Sequence, residues 1–132
     1  FFIVCQLVAV AVYVAFPSCQ ELRPETFPRD NVLTRLVGLL YSADTNTGVC
    51  PSLHVAFSFG IASAWLKEQT TPWWVRGGIG IACVLAALST MFIKQHSAVD
   101  FFAAIPLSLL AEGIAYGKGY WLPKIKNAAL RN

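Results

Sequence analysis

The sequence predicts an all-α fold: a transmembrane helical bundle with about four spanning helices and a short interfacial helix. Three observations predict it. Hydrophobic residues make up 56% of the 132 residues and charged residues 13%, against about 45–50% and about 25% in a soluble domain. The apolar residues gather in four runs, each apolar nearly all round rather than along one stripe. Polar segments carrying Pro and Gly separate the runs, as turns and loops do. The same composition excludes other classes. A net charge of +3 is too small and too dispersed for a footprint on DNA, so no nucleic-acid partner is expected. Four cysteines without a Cys-x-x-Cys pair argue against a disulfide scaffold or a zinc site.

The elements follow in chain order. The first run, Phe1 to Phe16, is closed by Pro17. It lacks the basic leader and the Ala-x-Ala site of a signal peptide. The chain opens inside this run and its only Met is Met91. It is therefore expected to be one membrane-embedded domain, residues 1–132, truncated at its N-terminus. Residues 17–50 form a long loop with Pro17, Pro24, Pro28 and Gly48. Within it, Asp30 is the expected N-cap of a short helix. Val32, Leu33, Leu36, Val37, Leu39 and Leu40 give that helix a broad apolar face suited to the membrane interface. The second run spans about 51–66, the third about 74–93 and the fourth about 98–117. The last two reach the roughly 20 residues that cross a bilayer. Gly77, Gly78 and Gly80 are expected to let helices approach closely.

Counting sides separates the charges. The near side, reached at the end of the first helix, holds Arg23, Arg29, Arg35 and Lys94 with Glu21, Glu25, Asp30, Asp44 and Asp100. The far side holds Lys67, Arg76, Lys118, Lys124, Lys126 and Arg131 with Glu68 and Glu112. The basic excess puts the far side in the cytoplasm. Trp65, Trp73, Trp74 and Trp121 fall near that interface, where indoles anchor. Cys19 and Cys50 share the near side and could pair if that side is oxidising.

This topology brings three polar clusters to the near face: Arg23-Pro24, then Pro51 to His54, then Ser89 to Asp100. Ionisable groups at membrane depth are costly and mark function. His96 and Asp100 are four apart, so one helix carrying both would set them on one face. The carboxylate can then accept one ring N–H of His96, fixing its tautomer and leaving the other nitrogen to attack or to take a proton. His54 can donate a proton to a leaving group. Ser52, Arg23 and Lys94 can hold an anion, and phosphate suits that set. Together they make a phosphoryl-transfer site that needs no metal. Plainer readings stay open: Ser52 as a helix N-cap, Asp100 as a first-turn charge, Lys94 as a snorkelling turn residue, Ser89 as a hydroxyl bonded within its helix, and Arg23 as a loop charge.

On these residues the chain resembles the type 2 phosphatidic acid phosphatase superfamily, with its motifs Lys-x6-Arg-Pro, Pro-Ser-x-His and Ser-Arg-x5-His-x3-Asp. Residues 51–54, PSLH, match the second in full. Residues 89–100 match the third at Ser89, His96 and Asp100, with Thr90 where the family has Arg. Arg23 and Pro24 keep the end of the first, with Phe16 in the Lys position. The resemblance implies about four of six helices, no cofactor and no metal. It implies an integral membrane lipid phosphatase with its site on the extracytoplasmic face, acting on a lipid phosphomonoester or pyrophosphate. His96 would be the nucleophile forming a phosphohistidine, Asp100 its orienting partner and His54 the acid. Arg23 and Ser52 would hold the phosphoryl oxygens, with Ser89 assisting. Lys94 is expected to supply charge lost elsewhere. Head-group transferases related to inositol phosphorylceramide synthase relax the same basic positions, so phosphotransfer to a lipid alcohol is the alternative. A non-catalytic lipid-binding protein is the other.

Overall fold

The computed structural model describes residues 1–130 except 20, 25 and 44–46. The expected charges at Glu25, Asp44 and Arg131 therefore lie outside the described residues. The described chain is helical: α1 (Phe2–Ala15), α2 (Val32–Ala43), α3 (Leu53–Lys67), α4 (Trp73–Phe92), α5 (Ala98–Tyr116), a π-turn (Gly117–Trp121) and α6 (Leu122–Ala129). Two stretches are long and apolar enough to cross a membrane, Trp73–Phe92 and the continuous helical run Ala98–Ala129. At 14 and 15 residues, α1 and α3 fall short of the roughly 20 residues of a full span.

Side-chain chemistry explains the helix starts. Ser52 caps α3 by accepting from the Val55 amide. Pro72 precedes α4, where a missing N–H costs nothing. Ser97 and Asp100 form a capping box at α5, each side chain accepting the other's backbone N–H, which satisfies two orphan donors at once. The start of α2 departs from expectation. Asn31, not Asp30, makes the reciprocal bonds with Thr34, both at 2.9 Å. Asp30 is taken instead by both nitrogens of the Arg35 fork at 2.8 Å, and that pairing holds its carboxyl below the usual range.

The helix α3 is the axis, packed by α1, α4 and α5. The shared core is built from small side chains: Cys5, Ala9, Ala56, Ala87, Ala104 and Ala111, with Val55 and Leu107. Small residues let backbones approach where packing alone must hold helices together. Gly60 shows how close the approach is, since a Cβ there would lie 2.4 Å from the Phe1 ring. The glycines expected to do this, Gly77, Gly78 and Gly80, face open space instead. Large apolar side chains such as Ile3, Leu7, Leu85, Phe102 and Ile114 point outward. The apolar face of α2 is exposed too, and α2 packs on no other helix. Its Tyr41 ties it down, donating to the Ile93 carbonyl and stacking on Phe27.

A buried ion pair closes the far end. The ammonium of Lys67 meets Glu112, donates to Ser63 Oγ at 2.6 Å and lies 3.9 Å from the Tyr116 ring centre. Ser63 and the Trp121 indole donate to the same carboxylate at 3.0 and 2.9 Å. Trp121 follows Glu112 by nine residues, two and a half turns at about 3.6 residues per turn, which would set it on the opposite face. The π-turn absorbs about one residue, which rotates Trp121 by about 100° toward Glu112 and brings its indole within reach. Replacing Glu112 by Leu strands a buried ammonium and is expected to destabilise the fold by about 3–5 kcal/mol. Adding Lys67→Met should recover most of the loss. Thermal unfolding in one detergent checks both, and equal instability of the double variant would refute the pairing.

Candidate active site

The site is built where the starts of α3 and α5 meet. The Ser52 amide donates to the Asp100 carbonyl at 3.2 Å, fastening the first turns of the two helices together. The Tyr13 hydroxyl of α1 donates to the Pro51 carbonyl at 2.7 Å. Between α4 and α5 the chain turns through Lys94, whose φ is 54°. The amides of Gln95 and His96 then donate back to the Thr90 carbonyl at 3.0 and 3.2 Å, a helix C-terminal closure that needs one left-handed residue. This pins His96 against the first turn of α3, which carries His54.

The two imidazoles meet. His54 Nδ1 lies 3.3 Å from His96 Nε2. The other His96 nitrogen, Nδ1, lies 3.9 Å from Asp100 Oδ2. That is ion-pair distance, longer than a hydrogen bond, because the same oxygen accepts the Ser97 amide at 2.8 Å. One helix does not carry both residues: α5 begins at Ala98 behind its cap Ser97, so His96 precedes the helix and approaches Asp100 from the turn. His96 and Asp100 are 7% and 5% exposed, so both are largely withdrawn from solvent.

A cavity of about 240 Å³ opens at the pair, lined by Tyr13, Thr47, Gly48, Val49, Leu53, His54 and His96. One wall is the loop 47–49. It is held by the Gly48 amide on the Ser18 carbonyl at 2.8 Å and the isolated bridge between Cys19 and Thr47. Gly48 has φ 68°, a backbone conformation that favours glycine, and a Cβ there would sit tightly against the Tyr13 ring at 3.2 Å.

The other expected site residues lie elsewhere. Ser52 is fully buried as the α3 cap. Ser89 donates to the Ala86 carbonyl at 2.7 Å on an exposed face. Arg23 donates to the Tyr41 carbonyl at 3.3 Å and lies 4.9 Å from its ring centre. Lys94 is exposed. None of the four lines the cavity. Sequence reasoning missed the Ser97 cap, although Ser-x-x-Asp is a capping signal. It also missed Tyr13 and the loop 47–49, for which the sequence carries no signal beyond a lone phenol in an apolar run.

Cys50 stands beside Asp100, and Cys5, Cys19, Cys50 and Cys83 are all free thiols. Burial pushes the Cys50 thiol up, and the Asp100 charge and a hydrogen bond to that carboxylate push it further. Thiolate is the reactive form, so a raised pKa means less of it at any pH below that value. Maleimide labelling of Cys50 is therefore expected to lag the exposed Cys19 at neutral pH and to catch up as pH rises. Equal labelling rates at neutral pH would contradict the placement.

No protein-family model matches the chain, and no solved structure matches it. The chain is similar to a PA-phosphatase related-family protein of Dictyostelium discoideum, 34% identical over 86 residues, or 65% of this chain. The matched segment is 15% of that relative's length. This partial likeness supports the type 2 phosphatidic acid phosphatase superfamily and no narrower group.

Proposed function

We propose that the protein is an integral membrane lipid phosphatase that hydrolyses a phosphomonoester or pyrophosphate through a phosphohistidine on His96. The observation that carries the reading is the paired imidazoles at the cavity, with His96 Nε2 facing His54 and His96 Nδ1 facing Asp100. Asp100 favours the proton on Nδ1 and leaves the Nε2 lone pair for phosphorus. As the N–P bond forms, the P–O bond to the lipid breaks, and protonated His54 gives its proton to the departing oxygen. Water then attacks the phosphohistidine, and His54, now neutral, takes a proton from that water. The N–P bond breaks and inorganic phosphate leaves. At 3.3 Å the rings are in contact, so a phosphoryl group must part them.

The membrane setting is supported by the two apolar helices and by the outward-facing large apolar residues around a core of small ones. The basic excess at the opposite end favours an extracytoplasmic site. The exposed face of α2, tied beside the site through Tyr41 and Ile93, suits an interfacial helix over which a lipid enters sideways.

Lys94 is the candidate for the missing cation. It is two residues from His96 and makes no side-chain hydrogen bond among the described residues. Its left-handed backbone makes glycine the clean replacement, so Lys94→Gly should change stability by no more than about 1 kcal/mol. Phosphate release should fall roughly tenfold through KM, the worth of about one charge-assisted contact. An unchanged KM would remove Lys94 from the site.

The test of the function is phosphate release by the full-length protein in detergent, with chelator present, from phosphatidate and from a polyprenyl pyrophosphate. Release that survives the chelator and is lost in His96→Ala supports the reading. Product appearing only when a lipid alcohol is added would make it a transferase.

A further inference from the structure

At the end opposite the histidines, α6 packs on nothing but the π-turn among the described elements, and every residue from 121 to 130 is exposed. Leu122, Ile125 and Ala129 share one face at helical spacing, with Leu122 48% and Ile125 62% exposed. Beside them Trp121 is half-exposed, its indole N–H already turned inward to Glu112. Lys118, Lys124 and Lys126 are all exposed.

The charge balance of this end is one-sided. Lys67 cancels Glu112 in the buried pair. Arg76 lies against Glu68, donating to its carbonyl at 3.0 Å, and offsets that carboxylate. What remains among the described residues is Lys118, Lys124 and Lys126, with Arg131 following in the sequence, and residues 113–132 contain no Asp or Glu. The buried pair and the π-turn also give the segment a fixed mount on α3, because Trp121, its first anchor, is bonded into the cluster.

We propose that residues 117–130 form an anionic-lipid-binding surface: the helical run that begins at Ala98 meets the leaflet opposite the histidine site here, with Leu122 and Ile125 at the acyl boundary and the three lysines among acidic head groups. An apolar face flanked by lysines is what such a surface requires. Each basic side chain near a charged leaflet adds to the attraction, so three favour the docked state by up to ~100-fold. Lys126, four residues from Leu122, can lay its stem along the apolar face and keep its ammonium at the head groups. This surface is independent of the histidine chemistry. It requires only that the protein be membrane-embedded, which incorporation into lipid nanodiscs checks first.

The experiment is amide hydrogen exchange on the full-length protein in nanodiscs of phosphatidylcholine alone, and of the same lipid with about one-third phosphatidylglycerol. Amides of 122–130 are expected to exchange at least tenfold more slowly in the anionic discs. The difference should shrink at about 1 M salt, where the screening length is about 3 Å. It should also vanish in K118Q/K124Q/K126Q, while α3 exchanges equally throughout as the folding control. Equal exchange in the two lipids overturns the proposal and points to an acidic protein segment as the occupant. Protection that survives the triple substitution overturns it as well.

Discussion

Replacing His96 by alanine is expected to abolish phosphate release, lowering kcat/KM by roughly 10⁴-fold or more, the scale of a lost nucleophile. The substitution should leave the fold in place. His96 is held through its backbone amide on the Thr90 carbonyl, which alanine keeps, and α5 is started by Ser97 and Asp100 rather than by the imidazole. Loss of activity with an unchanged melting temperature therefore separates chemistry from folding. Substantial release by the variant would mean that another group attacks phosphorus.

The second large effect belongs to His54, and its form is more informative than its size. Replacing it by glutamine removes a proton donor and acceptor worth typically 10²–10⁴-fold, while the polar amide still fits the half-open cavity. The two chemical steps need the proton differently. Phosphorylation of His96 needs acid help only when the leaving oxygen is basic, so an activated aryl phosphate should restore that step. Hydrolysis of the intermediate needs His54 as the base whatever the substrate. His54→Gln with an aryl phosphate is therefore expected to give one rapid turnover and then stall with phosphate on the enzyme. A variant equally slow in both phases would assign His54 a structural place instead.

Much of this was legible in the sequence, for physical reasons that differ by element. The four apolar runs became α1, α3, α4 and α5, because apolar content over that length leaves the backbone little choice but to bond within a helix. The meeting of His54 with His96 followed from hairpin topology, and the cap at Ser52 was the plainer reading of that serine. Other features depend on competition that spacing does not reveal. Asp30 and Asn31 were both plausible caps, and Arg35 decided between them by claiming Asp30. His96 and Asp100 shared a helical spacing, but Ser97 started the helix between them. The phosphate-holding residues were chosen by charge, whereas the fold engages Arg23 with Tyr41 and Ser52 with its helix. The pairing of Lys67 with Glu112 hinges on a π-turn, and GKGYW carries no clear signal for one.

The most direct measurement is the trapping of the intermediate. The full-length protein is mixed with phosphatidate labelled in its phosphate and quenched in alkali, where an N–P bond survives and acyl phosphates do not. The labelled peptide is then sequenced. The predicted result is label on His96 in the unsubstituted protein and none in His96→Ala; with a labelled aryl phosphate, whose leaving oxygen needs no acid help, the label accumulates in His54→Gln. Label on a hydroxyl residue, or phosphate release with no labelled protein in any variant, would contradict phosphoryl transfer through His96.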